Sequence, residues 1–382
     1  MTDKRPSGAT IAAQAFGIVH PPFGDIVPPI HMSTTYERAA DGSYPGGRVY
    51  SRDQNPSYDQ AEAVLTALEG GAAALLFASG MAAATAPFLT LNPGDHVVAP
   101  RVMYWAMRKW LLEFAVPWGL EVEFFDNEGV AQIDSLASLL RPGQTKLVWL
   151  ETPANPTWVL TDIAAVASLA HRIGARLAVD STVATPVLTR PIEHGADLVM
   201  HSATKYLNGH SDVIAGALIT ARNDDWWRRI RYIRSSLGAM LGPVEAWLLL
   251  RGMRTLNVRV EASSRTALQL ANQLQAHLGV VEVLYPGLAN RPGHDVALRQ
   301  MKDGFGGMLS IRVAGGADAA IRVAGRLKVW KRATSLGGVE SLVEHRASVE
   351  GPGSPCPPDL LRLSVGLEAV SDLLADLEQA LA

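Results

Sequence analysis

Residues 196–212 read ADLVMHSATKYLNGHSD and place a single lysine, Lys205, shortly after an apolar run. Most lysines lie on solvated surfaces and stay protonated. Here the apolar run is typical of a buried strand, and Ser202 and Thr204 precede the lysine with hydroxyls that could bind a phosphate group. Gly209 allows close backbone approach. Lys205 is therefore either an ordinary surface lysine or a nucleophilic lysine whose amine is partly desolvated.

Two other polar positions follow apolar runs. Asp180 ends the run RLAVD, and a carboxylate at the end of a buried strand needs a partner. It could cap a helix that begins in DST, or it could pair with a protonated pyridine nitrogen and so make a pyridoxal ring an electron sink. The stretch FASGMAAATA places Ser79, Gly80 and Met81 at a strand-to-helix turn, where backbone N–H groups suit phosphate. Alone this turn is a weak signal, and it lacks the repeated glycines of a dinucleotide site.

The composition is that of a folded chain without a nucleic-acid, membrane or metal signature. Of 382 residues, 48% are hydrophobic and 19% charged, and a net charge of -3 gives no basic excess for nucleic acid or an anionic membrane. No apolar run approaches the roughly 20 residues of a membrane span. The single cysteine, Cys356, excludes an internal disulfide framework and a multi-thiolate zinc site within one chain. We see no apolar leader in the sequence and therefore expect a cytoplasmic protein. We also expect no metal site.

The order of sequence patterns predicts three regions. Residues 1–50 are rich in Pro and Gly, which indicates an extended arm that gains order by packing on a neighbouring subunit. In residues 51–243, short apolar strands alternate with helices, as in a mostly parallel sheet with helices on both faces and ligands beyond the carboxyl ends of its strands. Residues 244–382 begin with a long helical stretch and continue as a smaller α+β domain.

Several blocks of the sequence together resemble the Cys/Met-metabolism family of pyridoxal-phosphate (PLP) enzymes. Besides DLVMHSATKYLNGHSD, they are, in chain order, YSRDQNP, SGM, ETPANPT, VDSTVATP, LGAMLGPVEAWLLLRGMRTL, SLGGVESL and RLSVGLE, and they extend from about residue 28 to 367. The resemblance implies a type I PLP-dependent fold like that of aspartate aminotransferase, with a seven-stranded, mostly parallel sheet. It also implies pyridoxal 5'-phosphate as cofactor and a homotetramer of two tight dimers with shared active sites.

The resemblance assigns a cofactor role to individual residues. Lys205 corresponds to the lysine that holds PLP, and Asp180 to the partner of its ring nitrogen. Tyr104 resembles the tyrosine that stacks on the ring, although Trp105 replaces a usual small residue, and Tyr104 could instead be a buried helix aromatic. The implied phosphate ligands from the same subunit are Gly80, Met81, Ser202 and Thr204, and those that reach a neighbouring subunit are Tyr50 and Arg52. The implied catalytic residues are Lys205, Tyr104 and Asp180.

The same resemblance assigns a substrate site. Arg362 and Ser335 correspond to groups that hold an α-carboxylate, which a planar guanidinium grips with two hydrogen bonds. Asn155 resembles the asparagine near the ring hydroxyl and the substrate. Each has an alternative: a surface ion pair for Arg362, a helix cap for Ser335 and a turn former for Asn155. Glu340, in SLGGVESL, resembles the glutamate that lies near the distal substrate amine in synthases and γ-lyases, unless it is a surface glutamate.

These residues imply chemistry at the γ-carbon of a homoserine ester or cystathionine, either replacement as in cystathionine γ-synthases or elimination as in γ-lyases. The compact length favours the synthase. Val49, where an acidic residue often precedes YSR, and EHRASVEGPGSP at residues 344–355, in place of the usual His-Pro loop, both depart from the family and leave the substrate open. A β-lyase and a catalytically silent PLP-binding protein are the alternatives.

Overall fold

Two β-sheets organise the chain in the computed structural model, which describes residues 6–17, 19, 23–129, 131–351 and 353–382. The functional cavity lies between the two sheets, at the carboxyl ends of several strands of the larger one.

The larger sheet has seven strands among the described residues, in the order β1-β7-β6-β5-β4-β2-β3. Only β7 runs antiparallel to its neighbours, so the predicted mostly parallel sheet is confirmed. The strands are β1 (Ala73–Phe77), β2 (His96–Pro100), β3 (Glu121–Phe125), β4 (Thr145–Glu151), β5 (Arg176–Asp180), β6 (Leu198–His201) and β7 (Gly216–Thr220).

Helices cover both faces of this sheet, which explains why its strands read as continuous apolar runs rather than alternating ones. One face packs against α3, α4 and α9, and the other against α2, α6, α7 and α10. The helices of this part of the chain are α1 (Gly8–Gln14), α2 (Pro56–Glu69), α3 (Gly80–Thr85), α4 (Trp105–Trp110), α5 (Val116–Trp118), α6 (Gln132–Leu139), α7 (Ile163–Arg172), α8 (Thr185–Leu188), α9 (Asp225–Ser236) and α10 (Pro243–Met253).

The smaller sheet has the order β10-β11-β12-β9-β8 and is antiparallel except for the β10–β11 pair. Its apolar core forms against α11, α13 and α15. The strands are β8 (Val280–Leu284), β9 (Met308–Val313), β10 (Lys331–Arg332), β11 (Leu342–His345) and β12 (Leu360–Ser364). The helices are α11 (Leu256–Leu274), α12 (His294–Gln300), α13 (Gly316–Arg326), α14 (Arg346–Glu350) and α15 (Val370–Leu381).

The first part of the predicted arm is not extended. Residues 8–14 form α1, which Ser7 caps and which packs on α2 and α11 of the same chain. This helix is too short to show periodicity in the sequence. From residue 23 to 49 the chain forms no helix and leaves several large apolar side chains exposed. The arm's residues 1–5, 18 and 20–22 lie outside the described residues, and the domain boundaries after residues 50 and 243 stay predictions.

The helix that begins at Trp105 continues through a π-helical turn, Leu111–Ala115, and past Pro117 to Gly119, whose φ of 113° suits glycine. Pro117 lies directly after the π-helical turn, where the regular α-helical hydrogen-bond pattern is already interrupted. The single long helix expected after Pro243 is two helices, α10 and α11.

Candidate active site

A cavity of about 290 Å³ lies between the two sheets. That volume is near the lower end of the roughly 300–1,000 Å³ typical of small-molecule sites. The cavity gathers most of the residues that the sequence singled out: Gly80, Met81, Tyr104, Asn155, Asp180, Ser202, Thr204, Lys205, Ser335 and Arg362.

Lys205 lies in the turn that follows β6 and faces this cavity. Its Nζ donates a hydrogen bond to Ser335 Oγ at 2.6 Å. Burial and, to a smaller extent, the charge of Arg362 lower the pKa of Lys205 to about 8, while Glu344 opposes the shift. A lysine with this pKa is neutral in roughly a tenth of molecules at pH 7, so it can act as a nucleophile or base.

Ser335 reaches Lys205 from a loop between β10 and β11, so it caps no helix. Its φ is 89°, in the left-handed region that non-glycine residues avoid, and its carbonyl accepts a hydrogen bond from Arg362 Nη2 at 2.8 Å. Backbone strain of this kind persists only where the surrounding contacts hold it. The smaller sheet thus presents a fixed hydroxyl to the lysine of the larger one.

The turn before α3 and the turn after β6 meet closely at the cavity. A Cβ on Gly80 would lie 2.7 Å from Ser202 Oγ, so only glycine permits this approach. Ser79 caps α3 by accepting from the Ala82 N–H, and the backbone N–H of Ser202 donates to Thr182 Oγ1. The resulting concave edge of hydroxyl and N–H groups can hold a phosphate group.

Thr204 lines the same edge, but its hydroxyl is already engaged. Its Oγ1 donates to the Ala215 carbonyl at 3.1 Å and accepts from the Ala215 N–H at 2.9 Å. Ser202 is therefore the more available hydroxyl of the pair in this structure.

Two carboxylates stand side by side at the ends of β4 and β5, where Glu151 pairs in register with Asp180. Glu151 accepts from the backbone N–H of Tyr104 at 2.6 Å and of Asn155 at 2.8 Å, so it fixes both segments. Burial, together with the neighbouring Asp180, raises the pKa of Glu151 to about 8. Burial also raises the pKa of Asp180, against the hydrogen bonds from Thr182.

The sequence interpretation missed Glu151, although a signal was present. Glu151 ends the apolar strand KLVWLE just as Asp180 ends RLAVD. Since β4 and β5 are neighbouring parallel strands, both carboxylates had to emerge at the same edge of the sheet.

Arg362 is buried in β12 and is not a surface ion pair. Its Nη2 lies 2.7 Å from Glu344 Oε2, and its Nη1 donates to Asn155 Oδ1 at 3.3 Å. Burial lowers the pKa of Arg362 to about 10, which still leaves the guanidinium charged at neutral pH. Asn155 thereby links the arginine to the Glu151 segment.

The segment at residues 344–355 contributes charged residues that the sequence did not identify as site residues. Glu344, Arg346 and Glu350 are all buried, and Arg346 lines the cavity. The unusual sequence of this segment was the available signal. Its residue 352 lies outside the described residues.

Four residues singled out from the sequence do not line the cavity of this chain: Val49, Tyr50, Arg52 and Glu340. Val49 and Tyr50 are about half exposed, and the Arg52 guanidinium lies 5.5 Å from the centre of the Tyr50 ring. Glu340 accepts a hydrogen bond from Ser211 Oγ at 3.1 Å. Tyr104 does line the cavity and is 41% exposed, so it is not a buried helix aromatic.

Neither a metal-binding cluster nor a membrane span occurs in the part of the chain that the structure describes. No three His, Cys, Asp or Glu side chains there are grouped to hold a metal ion. No helix within the described ranges has both the length and the apolar character needed to cross a bilayer.

A desolvated lysine after β6, a carboxylate at the end of β5 and a phosphate-sized cradle before α3 define a PLP-dependent enzyme of fold type I. The chain belongs to the family of Cys/Met metabolism PLP-dependent enzymes, whose model matches residues 9–382.

Individual relatives resemble the chain over almost its whole length. It is 40% identical to the cystathionine gamma-synthase of Mycobacterium tuberculosis over 100% of both chains. It is 39% identical to the cystathionine gamma-lyase of Saccharomyces cerevisiae, over 94% of this chain and 93% of that protein.

Solved structures agree with this family. The metB structure from Corynebacterium glutamicum matches with a TM-score of 0.94 and 39% identity, covering 98% of each chain. The cystathionine gamma synthase of Xanthomonas oryzae pv. oryzae, in complex with aminoacrylate and cysteine, matches with a TM-score of 0.93 and 36% identity, covering 99% of this chain and 98% of that one.

The raised pKa of Glu151 predicts a pH-dependent stability. In the unfolded chain a glutamate ionises near pH 4.3, whereas folded Glu151 keeps its proton to about pH 8. Rising pH therefore favours the unfolded state, and the stability is lost as pH passes through the folded pKa. Glu151→Gln gives up one acceptor but cannot ionise, so its deficit in thermal midpoint should shrink between pH 5 and pH 9 in the PLP-free protein. The exposed Glu113→Gln is the control, and a deficit that stays constant or grows would contradict the assignment.

Proposed function

We propose that the protein catalyses transsulfuration at the γ-carbon of an amino acid, with PLP held by Lys205 and γ-replacement on a homoserine ester as its main reaction. The observation that carries this proposal is the desolvated Lys205 beside a phosphate cradle and a buried arginine. Bound PLP supplies an electron sink that acidifies the substrate's α-hydrogen. The residues of the chain then bind, orient and move protons.

The cofactor fits the residues that surround the cavity. The Gly80 and Ser202 edge is concave enough for a phosphate, and Asp180 at the end of β5 offers a carboxylate to a protonated ring nitrogen. Tyr104 lines the cavity at the start of α4, where Glu151 holds its backbone N–H, and would be the residue that stacks on the ring.

The substrate's α-carboxylate would bind to Arg362, with Ser335 and Asn155 beside it. Arg362 is preorganised by its own contacts, so little side-chain entropy is lost on binding. Lys205 Nζ, which would hold the cofactor, would also be the group that removes and returns the α-proton, because its lowered pKa leaves a useful neutral fraction.

The γ-carbon assignment and the choice of replacement rest on the relatives of the chain. Relatives named gamma-synthase and gamma-lyase are equally similar to the chain, at 40% and 39% identity. The synthase match spans both chains completely, and the Xanthomonas synthase was solved with cysteine. Glu340 accepts a hydrogen bond from Ser211 and does not line the cavity, so the proposal does not rest on a contact of Glu340 with a distal amine. The relatives carry enzyme names, which leaves a silent PLP-binding role without support.

The reaction is tested by identifying products from the PLP-loaded enzyme. With an O-acyl-homoserine and cysteine we expect cystathionine, and with cystathionine alone little keto acid. Abundant 2-oxobutanoate from cystathionine would mean that elimination is the main reaction, and pyruvate would mean a β-lyase. Lys205→Ala is the control: it should lose turnover by at least about 10³-fold, since the nucleophile and base are gone. Full activity in that variant would refute the site itself.

The close approach of Gly80 to Ser202 predicts how one added methyl group would affect PLP binding. In Gly80→Ala the new Cβ would lie 2.7 Å from Ser202 Oγ and would push that hydroxyl away. Losing one charge-assisted hydrogen bond to phosphate should weaken PLP binding roughly tenfold or more in a titration of the PLP-free enzyme. Gly325→Ala in α13, where nothing lies within 4 Å of the new methyl, is the matched control. Equal PLP affinity in both variants would place the phosphate elsewhere.

We further propose that the sites are completed across subunits of a homotetramer. Phe23, Ile26 and Met32 lie close together in the sequence of the arm and are each at least 65% exposed in the single chain, as expected of a segment that packs on a neighbouring subunit. Tyr50 and Arg52 lie away from the chain's own cavity, as expected if they serve a neighbour's phosphate. A cytoplasmic location stays a prediction.

Subunit complementation tests this sharing. Arg52→Ala and Lys205→Ala should each be nearly inactive, but a hybrid dimer would hold one site with both native residues. Random reassembly of equal amounts should restore about a quarter of wild-type activity, because half of the dimers are hybrids with one good site in two. Hybrids that form but show no recovery would mean that Arg52 acts within its own subunit.

A further inference from the structure

A buried carboxylate is shared by two arginines beside the cavity. Glu344 of β11 stands opposite Arg362 of β12 in the strand register. Glu344 Oε2 lies 2.7 Å from Arg362 Nη2 and 2.9 Å from Arg346 Nη1. All three side chains are at least 93% buried, so water does little to screen these contacts.

The second arginine has a partner of its own. Arg346 opens α14, and its Nε donates to Glu350 Oε1 at 2.7 Å, one helical turn further on. The hydroxyl of Ser354 donates to the other oxygen of Glu350. Arg346 lines the cavity as Arg362 does, so the two guanidinium groups face the same space with Glu344 between them.

The charges of this network determine what an incoming carboxylate meets. The network of Arg362, Arg346, Glu344 and Glu350 has two positive and two negative charges and is neutral overall. Without Arg346, Glu344 would pair with Arg362 alone, Glu350 would lose its partner, and a substrate carboxylate would meet a buried network with a net charge of −1. It would then compete with Glu344 for the same guanidinium at a site where an unpaired charge is costly.

We propose that Arg346 is a positioning residue for substrate binding. Its ion pair with Glu344 weakens the attraction of that carboxylate for Arg362, so that Arg362 stays available to an α-carboxylate. This inference rests on the proposed role of Arg362. Arg346 belongs to the segment 344–355, whose sequence departs from the family's usual pattern.

The test compares an amino acid with its amide on the PLP-loaded enzyme. L-alanine has no leaving group, and L-alaninamide lacks the carboxylate; binding of each is followed through the visible spectrum of the enzyme. Arg346→Met should raise the Kd for L-alanine about tenfold or more and change that for the amide by less than about threefold. Arg346→Lys, which keeps the charge, should bind L-alanine within about threefold of wild type.

A second variant removes the competitor. In Arg346→Met combined with Glu344→Gln, the carboxylate that is paired with Arg362 is gone and the remaining Arg362 and Glu350 are neutral together as in the wild type, so L-alanine affinity should return to within about threefold of wild type. A merely structural role of Arg346 would weaken acid and amide alike, and the double variant would not recover; either result overturns the proposal. If Arg346→Met does not retain PLP, Arg346→Gln supports the same comparison.

Arg362→Leu separates this proposal from the one on which it rests. It should abolish the preference for L-alanine over the amide. If it does not, Arg362 is not the carboxylate ligand and the proposed substrate site fails. If it does, while Arg346→Met leaves the preference intact, only the role of Arg346 is wrong.

Discussion

The contact between Lys205 Nζ and Ser335 Oγ, 2.6 Å long, joins the two sheets at the centre of the cavity. Lys205 comes from the turn after β6 and Ser335 from the loop before β11, so neither sheet holds the site alone. The closure buries the amine, and burial is the largest cause of its lowered pKa. The chemistry of the lysine therefore depends on how the smaller domain packs on the larger one.

Hydrogen bonds, two of them to backbone N–H groups, hold the polar side chains around this contact in place. Glu151 is bonded to the N–H groups of Tyr104 and Asn155, and Asn155 in turn accepts from Arg362. This chain of contacts runs from the end of β4 to β12 and fixes Tyr104 and Arg362, the residues proposed to face the cofactor ring and to bind the α-carboxylate, relative to one another. Rigid support of this kind reduces the entropy lost when substrate binds.

The sequence was sufficient to predict a site residue where the position of that residue follows from the end of a strand alone. Lys205 and Asp180 follow apolar runs, and the carboxyl ends of parallel strands meet at one edge, so their meeting could be predicted. The Glu344–Arg346–Glu350 network could not, because its partners are set by how β11, β12 and α14 fold together. Helix α1 was missed because seven residues show no clear periodicity. The roles proposed for Tyr50 and Arg52 would depend on a second chain, which no local pattern describes.

Charge balance explains why one acid in this site must hold a proton. Three cationic side chains, Lys205, Arg346 and Arg362, share the described part of the site with Glu344 and Glu350 and with the Glu151–Asp180 pair. If all four acids were ionised the site would carry a net negative charge and would repel a substrate carboxylate. The raised pKa of Glu151 removes one of those charges near neutral pH. A cationic ring next to Asp180 would stabilise that carboxylate in its ionised form, so that cofactor binding and the proton on Glu151 together leave Arg362 facing a site that can accept an anion.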